Sequence, residues 1–150
     1  MSNTSNTMRT DLLKLLFQNV ALAGLGDTSG LQPSGAAGNV YIRLCTDATV
    51  ADAATVGAEC AYTGYVAKGI AVARSSGAFS VATNAAKNIA EILFGACTAG
   101  TENIKYVEAW KNNTGGTLAD RISFCEITPF AVSSGKHPKI AAEACTFTLV

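Results

Sequence analysis

At 150 residues, with eleven basic and eleven acidic side chains, the chain has a formal net charge of zero and no run of like charge. That excludes a phosphate-tracking surface and a polybasic membrane patch, so neither nucleic acid nor a membrane is an expected partner. The length suits one domain burying roughly two-thirds of its unfolded surface. Charged residues are only 15% of the chain, and the neutral, small-residue surface this implies fits a protein packed into an assembly.

Residues 1–7 are Ser, Asn and Thr after the initiator and read as a tail, or as an arm ordered by a neighbour, ahead of a single domain over 8–150. No charged segment leads into an apolar stretch with a cleavage site, so synthesis in the cytoplasm is expected. Leu12, Leu13, Leu15, Leu16, Phe17, Val20 and Ala21 recur at helical spacing and predict a helix over 8–22, with Thr7 or Thr10 as N-cap and Asp11 near the positive end of its dipole.

Residues 24–38 hold five glycines and a proline and read as a loop. Within it, Gly24-Leu25-Gly26 lacks the preceding strand and following helix of a dinucleotide loop. Asp27-Thr28-Ser29-Gly30 has the residues of an aspartic-protease corner in the wrong order and without a second copy. Val40, Ile42 and Leu44 then alternate with Tyr41, Arg43 and Cys45, a half-buried strand over 39–46. In the following loop, 47–61, Asp47, Asp52 and Glu59 are too sparse for a calcium site.

The stretch 62–74, YTGYVAKGIAVAR, reads as one long strand around which the chain is organised. Tyr65, Ala67, Gly69, Ala71 and Ala73 share a small face and Val66, Lys68, Ile70 and Val72 the other, with Gly69 marking a bulge or close approach. Ser75-Ser76-Gly77 turns the chain into a strand at 79–82, read as a hairpin with the long one. Beyond it the pattern gives a turn at 84–88, strands at 89–94, 104–110 and 121–127, loops at 97–103 and 129–139, a strong turn at 112–116 and a last strand at 144–150. The fold class is therefore mainly β, an antiparallel β-sandwich or jelly roll with one N-terminal α-helix.

No catalytic constellation emerges, and no enzyme activity, cofactor or metal is expected. His137 is the only histidine and stands in a loop with no nucleophile motif to serve. Glu91 and Glu108 could form a glycosidase-like carboxylate pair, but solvated strand charges explain them equally well. Tyr62, Tyr65, Tyr106 and Trp110 could stack on a sugar, though core or interface is the plainer role. Cys45, Cys60, Cys97, Cys125 and Cys145 are odd in number, widely spaced and without the C-x-x-C pairs that hold zinc. They read as small buried residues, or as inter-subunit disulfides formed in an oxidising environment with the pairing open.

The ordered set LLKLLF at 12–17, NVYIRLCTDA at 39–48, ECAYTGYVAKGIAVARSSGAFSV at 59–81 and IKYVEAWKNNTGG at 104–116 resembles a family of small virion structural proteins of tailed bacteriophages, called tail fibre or head decoration proteins. The sequence departs from that pattern where Cys45-Thr46-Asp47 stands in place of a histidine-threonine, and where the next loop lacks a proline. The resemblance implies a β-sandwich or jelly roll that assembles as a homo-oligomer, a trimer, on the surface of a virion made in the host cytoplasm. Its first functional implication is a capsid decoration or cement protein that bridges neighbouring major capsid subunits, with residues 1–8 or the 24–38 loop as clamps. The alternative is a tail-fibre, neck or receptor-binding module that contacts host surface glycan.

Overall fold

The computed structural model describes residues 4–25, 30–49 and 51–149. Helix α1 (Asn6–Leu13) starts where the Ser5 side chain accepts the Met8 N–H, and it continues as a π-helical turn over Lys14–Gln18. The expected helix over 8–22 is thus shifted and shortened, and neither Thr7 nor Thr10 is its cap. Thr10 lies inside it, donating its hydroxyl to the Asn6 carbonyl at 2.8 Å and accepting the Asn84 N–H at 3.0 Å. The helix stops because Asn19 turns left-handed, at φ 57°, and its amide exchanges two hydrogen bonds with the Ser34 backbone. Residues 5–8 therefore form the cap and first turn of a helix, not an extended arm, and residues 1–3 and 26–29 lie outside the described residues.

Nine strands follow among the described residues: β1 (Asn39–Thr46), β2 (Ile70–Ala73), β3 (Phe79–Ala82), β4 (Ala85–Asn88), β5 (Ile92–Leu93), β6 (Thr101–Trp110), β7 (Arg121–Ser133), β8 (Lys139–Ile140) and β9 (Thr146–Thr148). They build a four-stranded sheet in the order β2-β1-β6-β7, a three-stranded sheet β3-β4-β9 and a pair β5-β8, all antiparallel. The protein is mainly β with one N-terminal helix, as its alternating apolar segments dictate. Val40, Ile42, Leu44, Ile104 and Val107 of the large sheet share one core with Phe79, Ala86 and Phe147 of the smaller sheet and with Leu13 and Phe17. Phe17 fastens the helix there, its ring 5.0 Å from Phe79 and 5.4 Å from Phe147.

Several expected boundaries move, each for a local reason. The long strand over 62–74 keeps only Ile70–Ala73, because Lys68 and Gly69 are left-handed at φ 70° and 90° and turn the chain before the sheet begins. Gly69 is a close approach as expected: a Cβ there would sit 2.5 Å from the Ile42 carbonyl oxygen. β2 pairs with β1, so the hairpin of β3 is made with β4 instead. Thr83 and Asn84, at φ 48° and 63°, form the two-residue turn that lets 85–88 be a strand rather than a turn. The strand over 89–94 shrinks to Ile92–Leu93, β6 starts at Thr101 inside the expected loop, and the last strand shortens to Thr146–Thr148. β7 runs through Pro129 to Ser133, which an edge strand with irregular register tolerates because proline's missing N–H is not needed there.

Candidate functional site

β1 is buried on both faces, not half-buried, and its second face carries charge. Register places Tyr41 opposite Trp110, Arg43 opposite Glu108 and Cys45 opposite Tyr106, and on the next strand Phe124 opposite Glu108 and Arg121 opposite Trp110. These side chains project from the face of the large sheet away from the main core. Glu108 is the hub: Oε1 accepts the Gly57 N–H at 2.8 Å and the Arg121 guanidinium at 2.8 Å, while Oε2 accepts the Trp110 indole N–H at 3.0 Å.

From this hub two loops are drawn over the sheet. Arg121 also donates to the carbonyls of Thr55, at 2.7 Å, and Asp52. Arg43 lies with its guanidinium carbon 3.7 Å from the centre of the Trp110 ring, donates to the Gly115 carbonyl at 2.8 Å and pairs with Glu59 at 3.7 Å. Arg43 and Arg121 beneath the two loops are therefore met by Glu108 on the sheet and by Glu59 from loop 51–61, which Lys68 also pairs at 3.9 Å. Gly57 is fixed by its contacts, since a Cβ would meet the Cys45 Cβ at 2.9 Å. The outer residues of these loops, Asp52, Ala53, Asn113, Thr114 and Thr117, are left exposed on a rigid base. Asp52 is held below its ordinary carboxylate range, first by the Ala54 N–H and then by Thr55.

A second surface lies at the free edge of the large sheet. β2 pairs on one side only, with β1. Beside it a hollow of about 310 Å³ is lined by Ile70, Val72, Ala78, Ala90, Ile92 and Leu93 among others, with Leu93 49% exposed on its lip.

Almost the whole chain matches a known family model. Residues 3–148 match the family described as podophage GP4 fiber I protein gp80. The chain belongs to this fiber I family. It is a structural component of a bacteriophage virion, which the resemblance in its sequence implied. No curated protein matches it.

In this fiber I family member the residues singled out from sequence are placed as follows. Tyr62, Tyr106 and Trp110 are buried and Tyr65 half-buried, so the four form no exposed platform. Tyr62 donates to the Gly95 carbonyl at 3.0 Å and Tyr65 accepts the Leu44 N–H at 3.2 Å. Burial pushes the Tyr62 hydroxyl up to about 12. Glu91 pairs with Lys139 at 2.8 Å in the segment before β5 and shares no bonding partner with Glu108. His137 is exposed in the loop between β7 and β8. Among the described residues, no group of three or more His, Cys, Asp or Glu could hold a metal, and no helix is long and apolar enough to cross a membrane.

All five cysteines are buried free thiols. Burial, with Glu108 beside it, raises the Cys45 thiol above its ordinary range, and burial, with Glu102 beside it, raises Cys60. Only Cys125 and Cys145 meet: their sulfurs are 2.8 Å apart. Sequence reasoning missed the Arg43–Glu108–Arg121 hub. Its one signal was the period-two placement of Arg43 beside Cys45 and of Glu108 beside Trp110, and pairing strands so far apart in sequence is not readable from either.

Proposed function

We propose that the chain is a fibre subunit of the virion surface, acting without catalysis or cofactor by self-association, as a homotrimer, and by docking to other virion proteins. The observation that carries this reading is the fiber I family match over residues 3–148. The free edge of β2, the apolar hollow beside it and the neutral, weakly charged composition support a contact surface for neighbouring protein. The fiber description moves the proposal away from head cement, which bridges major capsid subunits. It also leaves host glycan to the exposed loop residues 52–54 and 113–117, since the aromatic side chains are spent inside.

The test is copy number and position in purified particles, by quantitative gel and labelled-antibody electron microscopy, with native mass spectrometry of the isolated chain for its oligomer. A small number of copies on an appendage, as trimers, is the expected result. Hundreds of copies spread over the head would overturn the fibre assignment in favour of cement.

A further inference from the structure

We propose that Cys125 and Cys145 are a bond-forming pair that closes to an intrachain disulfide once the protein leaves a reducing compartment. The geometry is specific to these two. Cys125 lies on β7, 8% exposed, and Cys145 lies just before β9 and is fully buried. Their sulfurs stand 2.8 Å apart, inside the roughly 3.5–4.0 Å at which even non-bonded carbons prefer to sit and within about 0.8 Å of a covalent S–S bond. Cys145 is positioned by more than this contact, since its N–H donates to the Asn88 side chain at 3.0 Å. Ser123, two residues from Cys125, donates to the Thr148 carbonyl at 3.1 Å, so β7 and β9 are already tied in register across the pair.

The oxidising equivalents come from a small-molecule disulfide. When the short edge strand β9 opens, the Cys125 sulfur loses its proton and attacks one sulfur of that disulfide, forming a mixed disulfide and releasing one small thiolate. The Cys145 sulfur, its proton passed to solvent, then attacks Cys125 Sγ and releases the second thiolate. Two protein thiols are oxidised, one small disulfide is reduced to two thiols, and the two protons go to the released thiolates. The contact with Cys125 and burial raise the Cys145 thiol far above its ordinary range, so in the closed protein Cys145 waits as a neutral thiol. The bond would staple the C-terminal strand of the smaller sheet to the edge strand of the larger one. A chain made with reduced thiols in a cytoplasm and then released would gain that staple outside.

The experiment uses the full chain incubated with glutathione disulfide at pH 8, then alkylated in denaturant and digested with trypsin. Cleavage after Arg121, Lys136 and Lys139 isolates the two cysteines on separate peptides. The expected product is peptide 122–136 joined to peptide 140–150, an intact mass lower by the two hydrogens lost, about 2 Da, and Cys45, Cys60 and Cys97 still alkylated. The thermal midpoint is expected to rise by roughly 5–10 °C over the reduced protein, and Cys145→Ala to show no such rise. Full alkylation of Cys125 and Cys145 after oxidation overturns the proposal. So does a bond to another cysteine, or a ladder of linked chains on a non-reducing gel. Because the peptide map is read on the unmutated chain, it decides the matter even where Cys145→Ala does not fold.

Discussion

Arg121 and Glu108 form an ion pair at 2.8 Å with both side chains almost wholly out of solvent, 4% and 1% exposed. Its value lies in what else the two residues hold: Gly57 N–H, the Trp110 indole, and the carbonyls of Thr55 and Asp52. Removing one member leaves the other charge buried without compensation, which costs about 3–5 kcal/mol. Glu108→Ala is therefore expected to lower unfolding free energy by about that amount, with hydrogen exchange rising across 52–57. Glu126→Ala, which breaks the exposed pair with Lys105, should change stability by less than about 1 kcal/mol. Equal effects in denaturant titration would show that the buried hub does not organise the loop.

How much of this was legible follows from the range of each interaction. Val40, Ile42 and Leu44 announced β1 to the residue, because strand period is a local signal. The turn was announced at 84–88 rather than at Thr83-Asn84, since neither residue is glycine and the left-handed conformation is imposed by the paired strands on either side. Pro129 read as loop because its edge position in β7 depends on which strands lie beside it. The hub failed for the same reason: Arg43 looks like a solvent-facing residue until loops 51–61 and 111–120 close over it. The five cysteines were visible, but which two meet was not.

Gly69 tests the claim that the chain must turn sharply before β2. It sits at φ 90°, and a methyl group would lie 2.5 Å from Ile42 O and 2.9 Å from the Arg43 side chain. Both the backbone and the neighbour resist, so Gly69→Ala is expected to cost roughly 1–3 kcal/mol. Gly35→Ala is the control, because nothing lies within 4 Å of its Cβ. Similar chemical denaturation midpoints for the two variants would remove the close approach as the reason for this glycine.

Asp120 gives an acid limb with a defined sign. Its carboxylate accepts from Lys111 at 3.1 Å, Thr117 at 3.1 Å and Asn112 at 3.3 Å, and Lys111 is the first cause that holds it below the ordinary aspartate value of 3.8. A folded value below the unfolded one means the contribution is complete above pH 3.8 and fades as pH falls through the folded value. Loop 111–120 is thus expected to lose exchange protection between pH 4 and lower pH in the native chain, while Asp120→Asn shows weaker protection at neutral pH and little further change on acidification. Identical pH profiles for the two proteins would refute the assignment.

Arg74 closes the helical segment at its C-terminal end. Its guanidinium donates to the carbonyls of Leu15 and Leu16, the latter at 2.7 Å, and to Ser34 Oγ and the Ala37 carbonyl at 3.1 and 3.0 Å. It thereby satisfies carbonyls that the helical turn exposes as it ends at Asn19, and it places a cation at the negative end of the helix. Hydrogen bonds from a charged donor are worth roughly 1.5–3 kcal/mol each when the acceptor is left unpaired, so Arg74→Ala should lower stability by at least about 2 kcal/mol and reduce helical circular dichroism. Arg74→Lys should recover only part, because one ammonium cannot reach both the helix and the Ser34–Ala37 segment in the planar fork that arginine provides. Full recovery by lysine would mean that charge at the helix end, rather than the fork spanning two segments, is what the fold requires.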